Sequence, residues 1–319
     1  MTHVTTSSIA GNQARRSPVA VAGWSTLPAD YAIPEHAPTE AEARDYCRRL
    51  ARTHYENFSV ATWFLPQRLR QHFFNVYAYC RISDDLGDEV GDPNASLRLL
   101  DEWEAELDAC YTGIPRHPVF VALAETVRKF DVPKQPFAHL LKAFRQDQTV
   151  TRYQTFEDVL SYCRHSANPV GHLVLYVCGH RDAERQALSD FTCTALQLAN
   201  FWQDVSLDYA KGRIYLPLED LRRYGVSEED IACARNTPGF CEMMRFEVER
   251  ARDWFRRGLP LPGKVDRGLA IDIELFSRGG QEILNAIQRQ RYKVLGRRPV
   301  ISKSRKLALV ARAALGKLL

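Results

Sequence analysis

Gln197-Leu198-Ala199-Asn200-Phe201-Trp202-Gln203-Asp204-Val205-Ser206-Leu207-Asp208 carries three oxygen-bearing side chains, Asn200, Asp204 and Asp208, at intervals of four. At 100° per residue, positions four apart are offset by only about 40°, so the three share one helical stripe. Leu198, Phe201, Trp202 and Val205 are set among them, and the stripe therefore faces a half-buried environment. Carboxylates without a counter-charge in such a place would raise their pKa values or weaken the fold, and a cation is the simplest counterweight.

A second acidic run lies upstream, in Val76-Tyr77-Ala78-Tyr79-Cys80-Arg81-Ile82-Ser83-Asp84-Asp85-Leu86-Gly87-Asp88-Glu89. On a helix Tyr77, Arg81, Asp85 and Asp88 share a stripe, with Asp84 beside it. Alone, this run reads equally well as a solvated helix end. Paired with the first stripe it reads as half of a site. The ligands are all oxygen, no histidine stands at ligand spacing, and neither run has a calcium-loop pattern, so Mg²⁺ fits better than zinc or calcium, with Mn²⁺ an admissible replacement. Mg²⁺ is held by one or two carboxylates and completes its shell with water and substrate phosphate. Two acidic helices facing each other would cage a diphosphate, and Lys211, Arg213 and Tyr215 offer it cationic and phenolic donors.

Working outward, the chain is predicted to be all-α. Helical stretches are expected from Thr39, from Pro66 to about Val90, and near 95–111, 117–130, 136–148, 155–179, 182–209, 239–258 and 267–295. Short breaks such as Gly91-Asp92-Pro93-Asn94 separate them. Residues 1–37 lack periodicity and are expected to be disordered; 38–295 form one helical domain around a central cavity; 296–319 form a basic tail. The 319 residues can bury a large core, and a mean hydropathy of −0.34 goes with no apolar run near the ~18 residues needed to cross a bilayer. Eight cysteines without a C-x-x-C pair read as buried thiols in a reducing cytosol. Arg15-Arg16-Ser17 precede an apolar run shorter than the roughly 7–15 residues of an export signal, which favours a cytoplasmic location.

These motifs, D-D-x-x-D at Asp84 to Asp88 and N-x-x-x-D-x-x-x-D at Asn200 to Asp208, resemble those of the squalene/phytoene synthase family. The resemblance spans most of residues 54–295. It takes in His54-Tyr55-Glu56-Asn57-Phe58, Tyr77 and Arg81 ahead of the first motif, Gln197 ahead of the second, and R-I-Y-L-P at Arg213 to Pro217. It implies an isoprenoid synthase fold and a Mg²⁺ cluster held by Asp84, Asp88, Asn200 and Asp204, with Asp85 in support and Asp208 as a further ligand. It also implies that His54, Tyr77, Arg81 and Gln197 line the diphosphate or prenyl site. Gln203 stands where many members have Arg, and Ser166-Ala167-Asn168-Pro169-Val170-Gly171 precedes it, both as in bacterial hydroxysqualene synthases of hopanoid pathways. Those enzymes take presqualene diphosphate from a separate upstream synthase.

Ionising such a diphosphate needs a neutralised leaving group and a dry, π-rich wall, for which Phe58, Phe73, Tyr77, Phe201 and Trp202 are candidates. Pro169, inside a helical pattern, is expected to kink the helix and free the carbonyl of His165, with Asn168 placing the capturing water. No G-x-G-x-x-G occurs, so no nicotinamide cofactor is expected. From Arg289 onward there are ten Lys/Arg and no Asp/Glu, while the rest of the chain is net acidic. Leu307, Val310, Ala311, Ala314 and Leu318 form an apolar stripe among these charges, which reads as peripheral docking on the inner membrane, with packing on the chain's own body or disorder as the alternatives. Competing readings are a head-to-head prenyl transferase and a non-catalytic helical scaffold; a nucleic-acid partner is excluded by the single basic segment and the lack of a motif.

Overall fold

The structure, a computed structural model, describes residues 24–53, 65–302, 304, 305, 308 and 309. His54, Phe58 and most of the tail stripe lie outside these. Helix starts follow local chemistry. Thr39 and Glu42 bond each other's backbone amides and open α1 (Glu40–Thr53), as the sequence predicts. Pro66, which lacks an N–H, immediately precedes α2 (Gln67–Asp88). The Asp92 carboxylate accepts from the Ala95 amide at 2.6 Å and caps α3 (Pro93–Thr112). Then follow α4 (Pro118–Phe130), α5 (Gln135–Gln146), α6 (Phe156–Ser166), α7 (Asn168–Val177) and α8 (Ala183–Ala210). The short α9 (Leu218–Arg223) and α10 (Glu228–Ala232) lead into α11 (Pro238–Gly258) and α12 (Arg267–Arg289). Among the described residues there is no strand, only one isolated bridge between Arg152 and Ile214.

Two apolar cores organise these helices. The first gathers α1–α5 around Tyr79, Trp103, Phe120 and Phe137. The second gathers α6, α8, α11 and α12 around Trp202, Phe240, Met243 and Met244. Helix α7 packs on both α2 and α8 and so joins the cores. At Gly171 it comes so close to α8 that an added Cβ would lie 2.2 Å from Ser189 Oγ and 2.6 Å from Cys193 Sγ. Any side chain there requires Ser189, Cys193 or α7 itself to shift.

Three features differ from the sequence expectation. Residues 24–37 are structured: Trp24–Thr26 and Ala29–Tyr31 form 3₁₀ turns, with Tyr31 buried and the Trp24 indole donating to Glu102 at 3.1 Å. Aromatic anchoring supplies here what periodicity lacks. The stretch 155–179 is two helices, because the chain breaks at Ala167 (φ −117°, ψ −50°) and Pro169 enters the first turn of α7. Pro169 thus begins a helix and does not kink one. Helix α12 stops at Arg289, where Arg291 and Tyr292 take positive φ and reverse the chain. All eight cysteines are free, and no described helix is long and apolar enough to cross a membrane.

Candidate active site

Helices α2 and α8 both run from an apolar cavity to an acidic end. The cavity, about 260 Å³, is walled by Phe73 of α2, Val170 and Val174 of α7, Leu196 of α8, and Ile273 and Phe276 of α12. Phe73 precedes Asp84 by eleven residues, as the cavity residue Cys193 precedes Asp204, an axial distance of about 16 Å on each helix. The acidic ends meet. Lys211 Nζ and Arg213 Nη1, just past α8, reach Asp88 at the end of α2 at 2.9 and 2.8 Å.

The carboxylates there are in unequal states. Burial alone would raise the Asp88 carboxyl, but hydrogen bonds from Lys211 and the Arg213 charge overcome it and hold Asp88 below the ordinary range. Asp84 pairs at 3.9 Å with Arg81 and feels the Lys211 charge from further off. Loss of hydration first, then the Asp88 charge, push it up to about 7. Asp208 is pushed up to about 7 in the same way, by burial and then by Asp204 and Asp88. Each motif thus keeps one carboxyl short of positive charge.

Asp85 and Asp204 each take a partner from outside their own helices, Asp85 in addition to Arg81 on α2. Asp85 is buried; it accepts from Arg81 Nε at 3.0 Å, from Arg81 Nη2, and from the Tyr31 hydroxyl at 2.8 Å. Asp204 accepts from Arg298 Nη2 at 3.0 Å and from its Nε, while Gln203 Nε2 donates to the Pro299 carbonyl at 2.6 Å. Tyr31→Phe should cost about 1–2 kcal/mol by removing one bond from a buried carboxylate. Thermal melting measures this cost, and a raised KM for substrate is the expected sign that Arg81 has loosened.

Among the predicted residues, Arg81, Asp84, Asp85 and Asp88 cluster at the end of α2, with half-buried Tyr77 one turn earlier. Asn200 is exposed, Gln197 half-buried one turn before it, and both precede Asp204 and Asp208 along α8. Tyr215 lies behind this cluster and not in it: its hydroxyl faces Asp147 at 3.3 Å, and its ring stacks on Phe201 at 3.8 Å. Phe201 and Trp202 fill the second core, and among the described candidate aromatics Phe73 reaches the cavity wall. Asn168 is buried at the α7–α8 contact, where its Oδ1 accepts from the Thr194 hydroxyl at 3.0 Å. Sequence reasoning passed over Tyr31, Arg298 and the buried Asp147, which binds Tyr162 at 2.6 Å beneath Arg213. Tyr31 sits in a segment without helical period, Arg298 in a tail whose charge has another ready explanation, and Asp147 at the end of a helix as a lone acid with no partner at helical spacing.

Among the described residues no three ligating side chains converge on one point. The donor set nevertheless suits a hard divalent cation: all oxygen, in carboxylate pairs, with Asp84 and Asp208 short of positive charge. Lys211 and Arg213 reach from the end of α8 to Asp88, while Arg81 pairs with Asp84 and Asp85 and Arg298 with Asp204, so the same region carries an anion-binding side.

Comparison with known proteins agrees with this architecture. The squalene/phytoene synthase family profile matches residues 51–305. A 15-cis-phytoene synthase of Synechocystis sp. is 32% identical over 281 residues, 83% of this chain and 82% of its own. The crystal structure of squalene synthase HpnC from Alicyclobacillus acidocaldarius gives a TM-score of 0.76 at 44% identity, covering 85% of this chain and 98% of that one. A dehydrosqualene synthase in complex with ligand gives 0.79 at 25% identity, over 86% and 96%. The all-α architecture is that of the isoprenoid synthases, and the chain belongs to the squalene/phytoene synthase family, enzymes of the head-to-head prenyltransferase type.

Proposed function

We propose that this enzyme converts presqualene diphosphate to hydroxysqualene by ionising the diphosphate, sheltering the carbocation and admitting one water. The observation that carries the ionisation is the meeting of two acidic helix ends, with Lys211 and Arg213 reaching across to Asp88, on the same two helices that wall an apolar cavity about 16 Å away along their axes. Asp84, Asp88, Asn200, Asp204 and Asp208 would hold Mg²⁺, or Mn²⁺ in its place, and the metal would neutralise the departing diphosphate. Arg81, Lys211 and Arg213 add fixed positive charge where the leaving group's charge develops. The aliphatic and aromatic cavity wall excludes water from the cation until rearrangement is complete.

The choice of substrate is supported by Gln203 standing before the middle Asp of the second motif, and by the 44% identity to a squalene synthase. Head-to-head joining of two prenyl diphosphates is the second reading, favoured by phytoene synthases at 29–32% identity. Incubation with Mg²⁺ and either presqualene diphosphate or farnesyl diphosphate separates them. Hydroxysqualene from the first and nothing from the second is the expected result; hydrocarbon or presqualene diphosphate from farnesyl diphosphate alone establishes the other reading. For the captured water, the Asn168 amide nitrogen is the proposed donor, since Oδ1 is engaged by Thr194. Asn168→Ala should then yield a mixture poor in alcohol, and normal rate and purity would remove Asn168 from the mechanism. The proposed setting is the cytoplasmic face of the inner membrane, reached through the basic tail and supplied by an upstream presqualene diphosphate synthase.

A further inference from the structure

Two loops without helical period run side by side where α5 and α8 end. Residues 147–154 follow α5, and residues 211–217 follow α8 and carry Lys211 and Arg213. The Ile214 amide donates to the Thr151 carbonyl at 2.9 Å, the Leu218 amide to Tyr153 at 2.9 Å and the Glu219 amide to Gln154 at 3.0 Å, so the pairing is parallel. Between Lys211 and Arg213 the chain turns at Gly212, whose φ of +82° a residue without a Cβ adopts freely.

Arg152 spans the two loops. Its Nη1 donates to the Gly212 carbonyl at 2.7 Å and to the Thr151 carbonyl at 2.8 Å. Nε and Nη2 grip the two carboxylate oxygens of Glu228, the first residue of α10, at 3.0 and 2.9 Å. Four of the five guanidinium N–H groups are thereby committed to protein acceptors, and little is left for a ligand. Glu228 also cancels a charge that would otherwise stand uncompensated near Lys211 and Arg213, and hydrogen bonding from Arg152 holds its carboxyl below the ordinary range. What Arg152 does grip is the peptide unit that joins Gly212 to Arg213. A cationic side chain stabilises a developing anion only as well as its backbone is fixed, so this clasp bears on both Lys211 and Arg213.

We propose that Arg152 is a positioning residue: through the Gly212 carbonyl and Glu228 it fixes the loop that presents Lys211 and Arg213 to a diphosphate. The clasp stands on geometry alone; its use for a diphosphate rests on the function proposed above. The test is calorimetric titration of the full chain with inorganic pyrophosphate in the presence of Mg²⁺. Arg152→Ala should weaken binding about tenfold. Arg152→Lys keeps the charge and loses the planar fork, so it should weaken binding nearly as much, and it serves as the readout where the alanine variant does not fold. In a Lys211→Ala, Arg213→Ala background neither change should weaken binding further, since Arg152 acts through those two side chains. Hydrogen exchange without any ligand gives the second measurement: amides of 212–214 should exchange faster in both variants. Full affinity in Arg152→Lys, the same tenfold loss in the background lacking Lys211 and Arg213, or unchanged exchange at 212–214 would each overturn the proposal. Absence of pyrophosphate binding by the unaltered protein ends the functional reading, and loop exchange then decides the clasp: faster rates uphold it and unchanged rates end it.

Discussion

Asp84→Asn should abolish most diphosphate release, by about 10³-fold at saturating Mg²⁺, while making the metal-free protein more stable above pH 7. The two effects have opposite signs because the same carboxylate serves the reaction and strains the fold. In the folded protein Asp84 and Asp208 are pushed up to about 7, against 3.8 for an ordinary aspartate. Between these values the folded chain holds protons that the unfolded chain has released, so stability falls as pH rises from about 4 to about 7 and then levels off. Substituting Asn at Asp84 removes its share of that slope. Asp208→Asn should behave alike, and metal affinity in the unaltered enzyme should climb with pH up to about 7 as protons cease to compete. Thermal melts across pH, paired with diphosphate assays, give both readouts. A variant that lost activity and also lost stability at pH 8 would contradict the assignment of Asp84 as an under-neutralised carboxylate.

Gly171→Val should produce the largest loss of stability. Its Cβ would fall 2.2 Å from Ser189 Oγ and 2.6 Å from Cys193 Sγ, inside any allowed contact, so α7 must move off α8 or the side chains must yield. Overpacking of this kind costs about 1–3 kcal/mol or more, and here it also displaces a cavity wall. Melting temperature should drop by several degrees, and turnover should fall beyond the loss of folded protein. Gly171→Val in a Ser189→Ala, Cys193→Ala background should recover part of the loss, because the two atoms its Cβ would strike are then removed. Equal destabilisation in both backgrounds would show that backbone freedom, and not space, is what Gly171 provides.

Much of this architecture could be read before any coordinate, and the reason is periodicity. The stripes at Tyr77–Asp88 and Asn200–Asp208 repeat at helical spacing, so their helices were accessible from residue order alone, whereas the contact of Lys211 and Arg213 with Asp88 that joins the two ends is a matter of tertiary structure. What escaped acts through single contacts with no repeat. Tyr31 is one aromatic in a segment of Thr, Ser, Gly and Pro, and only its 2.8 Å bond to Asp85 reveals its use. Arg298 belongs to a basic run whose charge alone suggests lipid, yet its guanidinium holds Asp204. Tyr215 looked like a phosphate donor from its neighbours Lys211 and Arg213. Its ring, however, is placed by stacking on Phe201, a contact that sequence order does not display.

The two acidic ends are steadied by partners remote in the chain: Tyr31 reaches Asp85 across 54 positions, and Arg298 reaches Asp204 across 94. Helices form from neighbours, whereas such distant pairings wait for loops to close. During refolding, α2 and α8 therefore acquire their rows of like charge before the hydroxyl and guanidinium that quiet them arrive. Until those partners dock, like charge gathers at the very place where the finished enzyme would gather its substrate, and dissolved cations in the refolding buffer should speed refolding by screening it.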